Sequence, residues 1–114
     1  MISFTVPGKA VPAVRMTQRG KFVKDSAKRY MAYKTLVGYC CKIKSPTSEP
    51  VSVALKFFVK GKVYGDIDNL SKAILDGCNR IAWEDDKQVY KLYAERIEVK
   101  TKEEERTEVT IKIA

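Results

Sequence analysis

The chain has 114 residues, 45% hydrophobic and 32% charged, with a formal net charge of +8 at neutral pH. That length predicts a single domain over residues 1–114, able to bury about two thirds of its unfolded surface without staples. Histidine is absent, which excludes Ser-His and Cys-His nucleophilic pairs, His-ligated zinc and an imidazole base, so any hydrolysis would rest on carboxylates, lysines and a hard metal ion.

Ile2, Phe4 and Val6 alternate with polar or small residues and predict a first strand over 2–6. Pro7-Gly8 and Pro12 punctuate a basic loop running to Gly20, and Lys21-Phe22-Val23 suits a short second strand. Asp25 or Ser26 can cap a helix reaching about Ile43, with Tyr30, Tyr33, Val37 and Cys40 or Cys41 recurring at helical spacing. Lys44 to Pro50, with two prolines and two serines, is a connector.

Val51, Val53, Leu55, Phe57 and Val59 form the clearest period-2 pattern and predict a strand with odd positions facing the core. Gly61 and Gly65 bracket a turn. A second helix is predicted over about Asn69–Arg80, with Leu70, Ala73, Ile74, Cys78 and Ile81 on one face and Lys72, Asp76 and Asn79 on the other. An imperfectly alternating strand between Gln88 and Val99 implies a bulge. Thr107 to Ile113 closes the chain, with Val109, Ile111 and Ile113 inward. The order β(β)αβαββ predicts an α+β fold, a mixed or antiparallel sheet with two main helices.

No apolar run approaches the roughly 18 residues of a membrane span, and the N-terminus lacks a signal-peptide layout, so a cytoplasmic protein is expected. Cys40, Cys41 and Cys78 are odd in number and lack metal-ligand spacing, which fits reduced core thiols. Charge is uneven: Lys9, Arg15, Arg19, Lys21, Lys24, Lys28, Arg29 and Lys34 stand against Asp25 alone. Such a stretch suits a polyanion, because neutralising phosphates releases counterions; a solvated face that aids solubility is the plainer alternative.

The informative stretches are Gly65-Asp66-Ile67-Asp68-Asn69-Leu70-Ser71-Lys72 and Trp83-Glu84-Asp85-Asp86-Lys87-Gln88-Val89. Residues two apart share a face only on extended backbone, so Asp66 and Asp68 converge if they precede the helix with Ile67 turned inward. Asp68 is placed for an N-cap, and Lys72 at i+4 can reach back over it. Asp85 or Asp86 returns to this pair if its strand lies beside the one entering the helix. Three crowded carboxylates raise one another's pKa unless a cation sits between them, and oxygen-only ligands suit Mg²⁺ or Mn²⁺. Taken singly the signals are weak: Asp68 could simply cap a helix, Asp85-Asp86 could form a turn, Trp83 reads as a core anchor, and Asp76 reads as a solvent-facing partner of Lys72.

Taken together these residues resemble the RusA family of Holliday-junction resolvases of bacteria, phages and prophages. The resemblance covers most of the chain: the opening strand, the Pro-Gly-Lys loop with Pro12, a Tyr-containing helix, Asp66-Ile67-Asp68-Asn69-Leu70-x-Lys72, Asp76, and Trp83 through Val89. It implies a divalent-metal-dependent endodeoxyribonuclease that resolves Holliday junctions or related branched DNA by paired symmetric phosphodiester cleavage, in recombination and repair. By the same resemblance Asp66, Asp68 and Asp86 bind Mg²⁺ (with Mn²⁺ able to substitute), Lys72 joins them in catalysis, and the enzyme is a homodimer. Lys9, Arg15, Arg19, Lys21, Lys24 and Lys28 would line the DNA path, with Phe22 or Tyr30 against bases. Some members carry arginine where Gly65 stands, and many read Arg-Pro-Arg where this chain has Arg15-Met16-Thr17; both departures remove phosphate contacts. The alternative is a catalytically silent basic DNA-binding module. A nucleotide-dependent phosphotransfer enzyme is a third reading, without a Gly-rich phosphate loop to support it.

Overall fold

A computed structural model describes residues 1–14, 25–43, 45–61 and 66–114. The expected strand at 21–23, the loop residues Arg15, Arg19, Lys21, Phe22 and Lys24, and Lys44 and Gly65 lie outside the described residues. The elements in chain order are β1 (Ile2–Pro7), α1 (Asp25–Cys41), β2 (Val51–Val59), α2 (Ile67–Cys78), β3 (Val89–Glu98) and β4 (Arg106–Ile113), with short 3₁₀ turns at Asp86–Gln88 and Lys102–Glu104. Among the described residues four strands form one sheet in the order β1-β4-β2-β3. β4 pairs antiparallel with both β1 and β2, while β2 and β3 run parallel across the α2 crossover. The sheet is therefore mixed and the fold is α+β.

One face of the sheet carries the core. Val51, Val53, Leu55, Phe57 and Val59 are all buried, as their period-2 spacing requires when alternate side chains point to opposite faces. Their neighbours across β4 are Ile111, Val109 and Thr107, and those in turn face Ile2, Phe4 and Val6 of β1. Tyr30, Tyr33, Val37 and Cys41 of α1 join this core with Leu70, Ala73, Ile74 and Cys78 of α2. Of the adjacent cysteines it is Cys41 that turns inward, and all three are free thiols. The opposite face is polar: Ser3 and Thr110 share a hydroxyl contact of 3.3 Å, and Arg106 lies 3.9 Å over the Phe58 ring while holding Glu108 at 3.0 Å.

Three expectations need correction. α2 begins at Ile67 with Asp66 as its N-cap residue, so Asp68 is already helical. Ile113 is 58% exposed because β1 starts at Ile2 opposite Ile111 and leaves Ile113 without a neighbour on that side of β4. Ile81 lies beyond α2 and is half-buried. The bulge expected in the last-but-one strand is present, since the β2–β3 register shifts between Val51 and Ser52 and Tyr90 is the extra residue.

The helices approach closely through two glycines. A methyl group on Gly77 would stand 2.7 Å from Val37 Cβ and 3.2 Å from the Lys34 carbonyl; one on Gly38 would meet Ile81 at 2.5 Å and the Gly77 carbonyl at 3.3 Å. Each glycine costs helix propensity, roughly 0.5–1 kcal/mol. In exchange the backbones come close enough to set Tyr30 on α1 against Asp76 on α2.

Candidate active site

The second motif folds locally into a fixture for Asp86. Asp85 is extended and caps the 3₁₀ turn, its Oδ1 accepting from the Lys87 amide at 3.0 Å. Gln88 closes the box by accepting from the Asp85 amide at 2.8 Å. The Gln88 side-chain amide also donates to the carbonyls of Thr47 and Glu49, at 2.8 and 3.0 Å. Trp83, fully buried, donates its indole N–H to Asp86 Oδ1 at 2.7 Å. The two aspartates thus divide the work: Asp85 holds the turn, and Asp86 is turned toward the core beside α2.

Asp86 faces Asp76 and Lys72. Burial raises the Asp86 carboxyl pKa above the ordinary carboxylate value; the indole hydrogen bond opposes this, the charges of Asp76 and Asp85 add to it, and Lys72 offsets it in part. Asp76 is half-buried and accepts a hydrogen bond from the Tyr30 hydroxyl. That corrects its reading as a solvent-facing residue. Burial, that hydrogen bond and the nearby carboxylates push the Tyr30 pKa up, so the phenol keeps its proton and remains a donor. The Tyr30 ring is itself buried, which removes it as a stacking platform for a base. Lys72 lies 3.7 Å from Asp76, and Lys34 lies 4.7 Å over the Tyr30 ring. With Asn69 these side chains line a cleft of about 460 Å³.

Asp66 and Asp68 occupy the other end of the same helix. Asp66 is extended and makes no side-chain cap bond, and Asp68 Oδ1 accepts from the Asn69 amide at 3.0 Å. Both are exposed. Asp68, Lys72 and Asp76 follow one another a turn apart, so α2 presents a stripe with the lysine between two acids. Eight residues of helix separate Asp68 from Asp76, roughly 12 Å along the axis at about 1.5 Å per residue. Asp86 stands at the Asp76 end. Accordingly, among the described residues no group of three or more Asp, Glu or Cys is arranged to hold a metal ion. The donors are nevertheless of the right kind for a hard divalent ion: they are carboxylate oxygens, and Asp86, its pKa raised chiefly by burial, also feels the charges of Asp76 and Asp85.

The model of the RusA family, described as endodeoxyribonuclease RusA, matches residues 5–113, from β1 to the end of β4. The chain belongs to the RusA family. No curated protein matches it significantly. RusA proteins are junction-resolving endodeoxyribonucleases, bind DNA and serve recombination, and are in general dependent on a divalent metal. Of the residues expected to meet DNA, Lys9 and Lys28 are exposed, Lys9 beside Arg29 on a surface cleft. Arg15, Arg19, Lys21 and Lys24 lie outside the described residues. The roles of two motif residues escaped the sequence reading. Asp76 reads there as a solvent-facing partner of Lys72, and Gln88 is part of the second motif with no contact assigned to it; the spacing Asp85-x-x-Gln88 is the capping-box signal that could have revealed the latter. Among the described residues no helix is long and apolar enough to cross a membrane.

Proposed function

We propose that this RusA-family chain, acting as one domain over residues 1–114, is a cytoplasmic Mg²⁺-dependent nuclease, with Mn²⁺ able to substitute. It would resolve Holliday junctions or related branched DNA as a homodimer, by paired symmetric phosphodiester cleavage. Asp66, Asp68 and Asp86 are the proposed metal ligands and Lys72 the fourth catalytic residue. When bound, the ion supplies an activated water and offsets charge on the phosphate. The observation that carries the reading is the family match across 5–113.

The chain's own groups supply the rest. The Asp85–Gln88 turn and the Trp83 indole fix Asp86, so this carboxylate does not have to be ordered when substrate arrives. Lys72 is 64% exposed at its side chain and only weakly tethered to Asp76, which leaves its ammonium able to meet a phosphate oxygen. Tyr30 holds Asp76 by a hydrogen bond, which leaves that carboxylate less free to draw Lys72 away from the substrate. Lys9 and Lys28, with Arg15, Arg19, Lys21 and Lys24, would contact the DNA backbone, contacts that orient the substrate but do not read its sequence.

The test is nicking of a synthetic four-way junction with Mg²⁺ by the wild-type chain, Asp68→Asn and Asp86→Asn. Wild type is expected to make two symmetric nicks and each variant to lose them. Equal cutting by a variant removes that aspartate from the site. Salt-sensitive DNA binding without any cutting of branched substrates would establish the silent binding module instead.

A further inference from the structure

We infer that β3 is the homodimer interface, and that two copies join edge to edge through antiparallel β3–β3 pairing about a two-fold axis at Tyr93. Among the described residues the sheet has two outer strands, β1 and β3, and they differ sharply. β1 has six residues and ends in Pro7, which has no N–H to offer a neighbour; short, proline-bearing edges resist pairing. β3 has ten residues and no proline, and every residue from Tyr90 to Arg96 is exposed. Tyr90 is 70%, Tyr93 61% and Leu92 44% exposed. Tyrosines and leucine on a long open edge form a ready template for another strand.

The identity of that strand follows from the order of side chains. In a two-fold antiparallel pair, residue numbers facing each other have a constant sum. Placing Tyr93 opposite the partner's Tyr93 sets Lys91 against the partner's Glu95, Leu92 against the partner's Ala94, and Tyr90 beside the partner's Arg96. Each match occurs twice, so one strand provides two Lys–Glu pairs, two aliphatic pairs and an aromatic pair at the axis. Opposite charges and aromatic pairs directly across an antiparallel ladder are favourable, and like charges there are not. Shifting the axis to Leu92 or to Ala94 loses the Lys–Glu match: Lys91 then faces Tyr93 or Ile97. The strand is complementary to itself in one register.

This pairing also covers apolar surface. Leu92 and Ala94 share the helix-bearing face with Val53 and Leu55, and with Ile67 and Leu75 of α2 they line an open groove of about 380 Å³. A two-fold axis normal to the sheet keeps the helices of both copies on one face. The Asp68 and Lys72 side chains, which line the same groove, would therefore open on one side of a continuous sheet. Two such sites suit a nearly two-fold branched substrate. Only this last step rests on the nuclease reading.

Charge reversal tests the register with the full-length chain. Lys91→Glu places Glu against the partner's Glu95, and Glu95→Lys places Lys against the partner's Lys91. Each is expected to weaken the dimer about tenfold or more, two symmetric pairs being lost. Combining both changes in one chain restores the match and the dimer. Mixing the two single variants is expected to give a heterodimer tighter than either homodimer. Sedimentation and light scattering read the mass against 12.9 kDa for one chain, with circular dichroism to check that the exposed substitutions leave the fold intact. A wild-type monomer at tens of micromolar overturns the proposal, as do single variants that dimerise normally or a double variant that stays dissociated. An intact dimer that fails to cut junctions would leave the interface standing and sink the nuclease.

Discussion

The Tyr30 hydroxyl on α1 donates to the Asp76 carboxylate on α2, joining two residues 46 apart in sequence at the rim of the cleft that holds Lys72. The bond fixes which way Asp76 points, and with it the position of the nearest partner of the Lys72 ammonium. Tyr30→Phe keeps the buried ring and removes only the donor. A hydrogen bond to a charged group is worth about 1.5–3 kcal/mol, and Asp76 retains some access to water, so a loss of about 1–2 kcal/mol is expected in urea unfolding. Junction cleavage should fall as well, because Asp76 would then draw Lys72 toward itself. A variant as stable as wild type would show that the phenol contributes nothing net.

Asp86 links stability to pH with a sign opposite to the usual carboxylate. Its pKa in the folded chain is raised, chiefly by burial, so the folded state binds this proton more tightly than the unfolded state does. Stability from this group is complete below the unfolded value of 3.8 and declines as pH rises through the folded value. Asp86→Asn keeps an acceptor for the Trp83 indole and removes the buried charge. Its melting temperature is expected above wild type at pH 7, the difference vanishing as pH falls below about 3.8. Mg²⁺ should raise the wild-type melting temperature, by about 1.4 kcal/mol of stability at ten times its dissociation constant. EDTA should abolish that gain, and Asp86→Asn should not show it. Equal melting curves across the pH range would refute this account of Asp86.

The legible parts of this molecule were those where local pattern and burial agree. β2 alternates because its odd residues face the helices and its even residues do not, and the Leu70, Ala73, Ile74, Cys78 stripe buries one side of α2 in the same way. Strand order was not readable, since it depends on which edges meet. Asp68 was misplaced because the spacing of Asp66 and Asp68 suits an extended segment, whereas the helix starts at Ile67 and carries Asp68 into its first turn. Tyr30 was legible as a core residue from its helical spacing with Tyr33 and Val37, but its partner was not. Asp76 looks exposed on its own helix, and only the close approach at Gly38 and Gly77 sets it against Tyr30.

That approach makes Gly77 a sensitive position. Gly77→Ala improves helix propensity, by up to about 1 kcal/mol. The added methyl, however, would lie 2.7 Å from Val37 Cβ and 3.2 Å from the Lys34 carbonyl, one of them a branch point and the other backbone, and neither can swing aside. Overpacking of this kind costs about 1–3 kcal/mol, so net destabilisation is expected in chemical denaturation. Because separating the helices also separates Tyr30 from Asp76, cleavage should suffer in parallel. A stabilised Gly77→Ala would mean that the helices can part without cost.

Lys72 offers the cleanest separation of function from fold. Its side chain is largely exposed, and its 3.7 Å pair with Asp76 is an i,i+4 surface pair in the weaker Lys-before-Asp order. Such pairs contribute about 0.2–1 kcal/mol at most. Lys72→Met keeps the aliphatic stem, and its stability should fall within about 0.5 kcal/mol of wild type. Removing a preorganised charge from a developing phosphate anion costs about 100- to 1,000-fold in rate by comparison with other such donors. Single-turnover cleavage of a four-way junction should therefore drop by about that factor, while binding of the same junction in Ca²⁺ changes little beyond the loss of one phosphate contact. Rescue by Lys72→Arg would show that positive charge alone suffices. A Lys72→Met enzyme that cuts at the wild-type rate would remove the lysine from the catalytic set and leave Asp76 bound to Tyr30 alone.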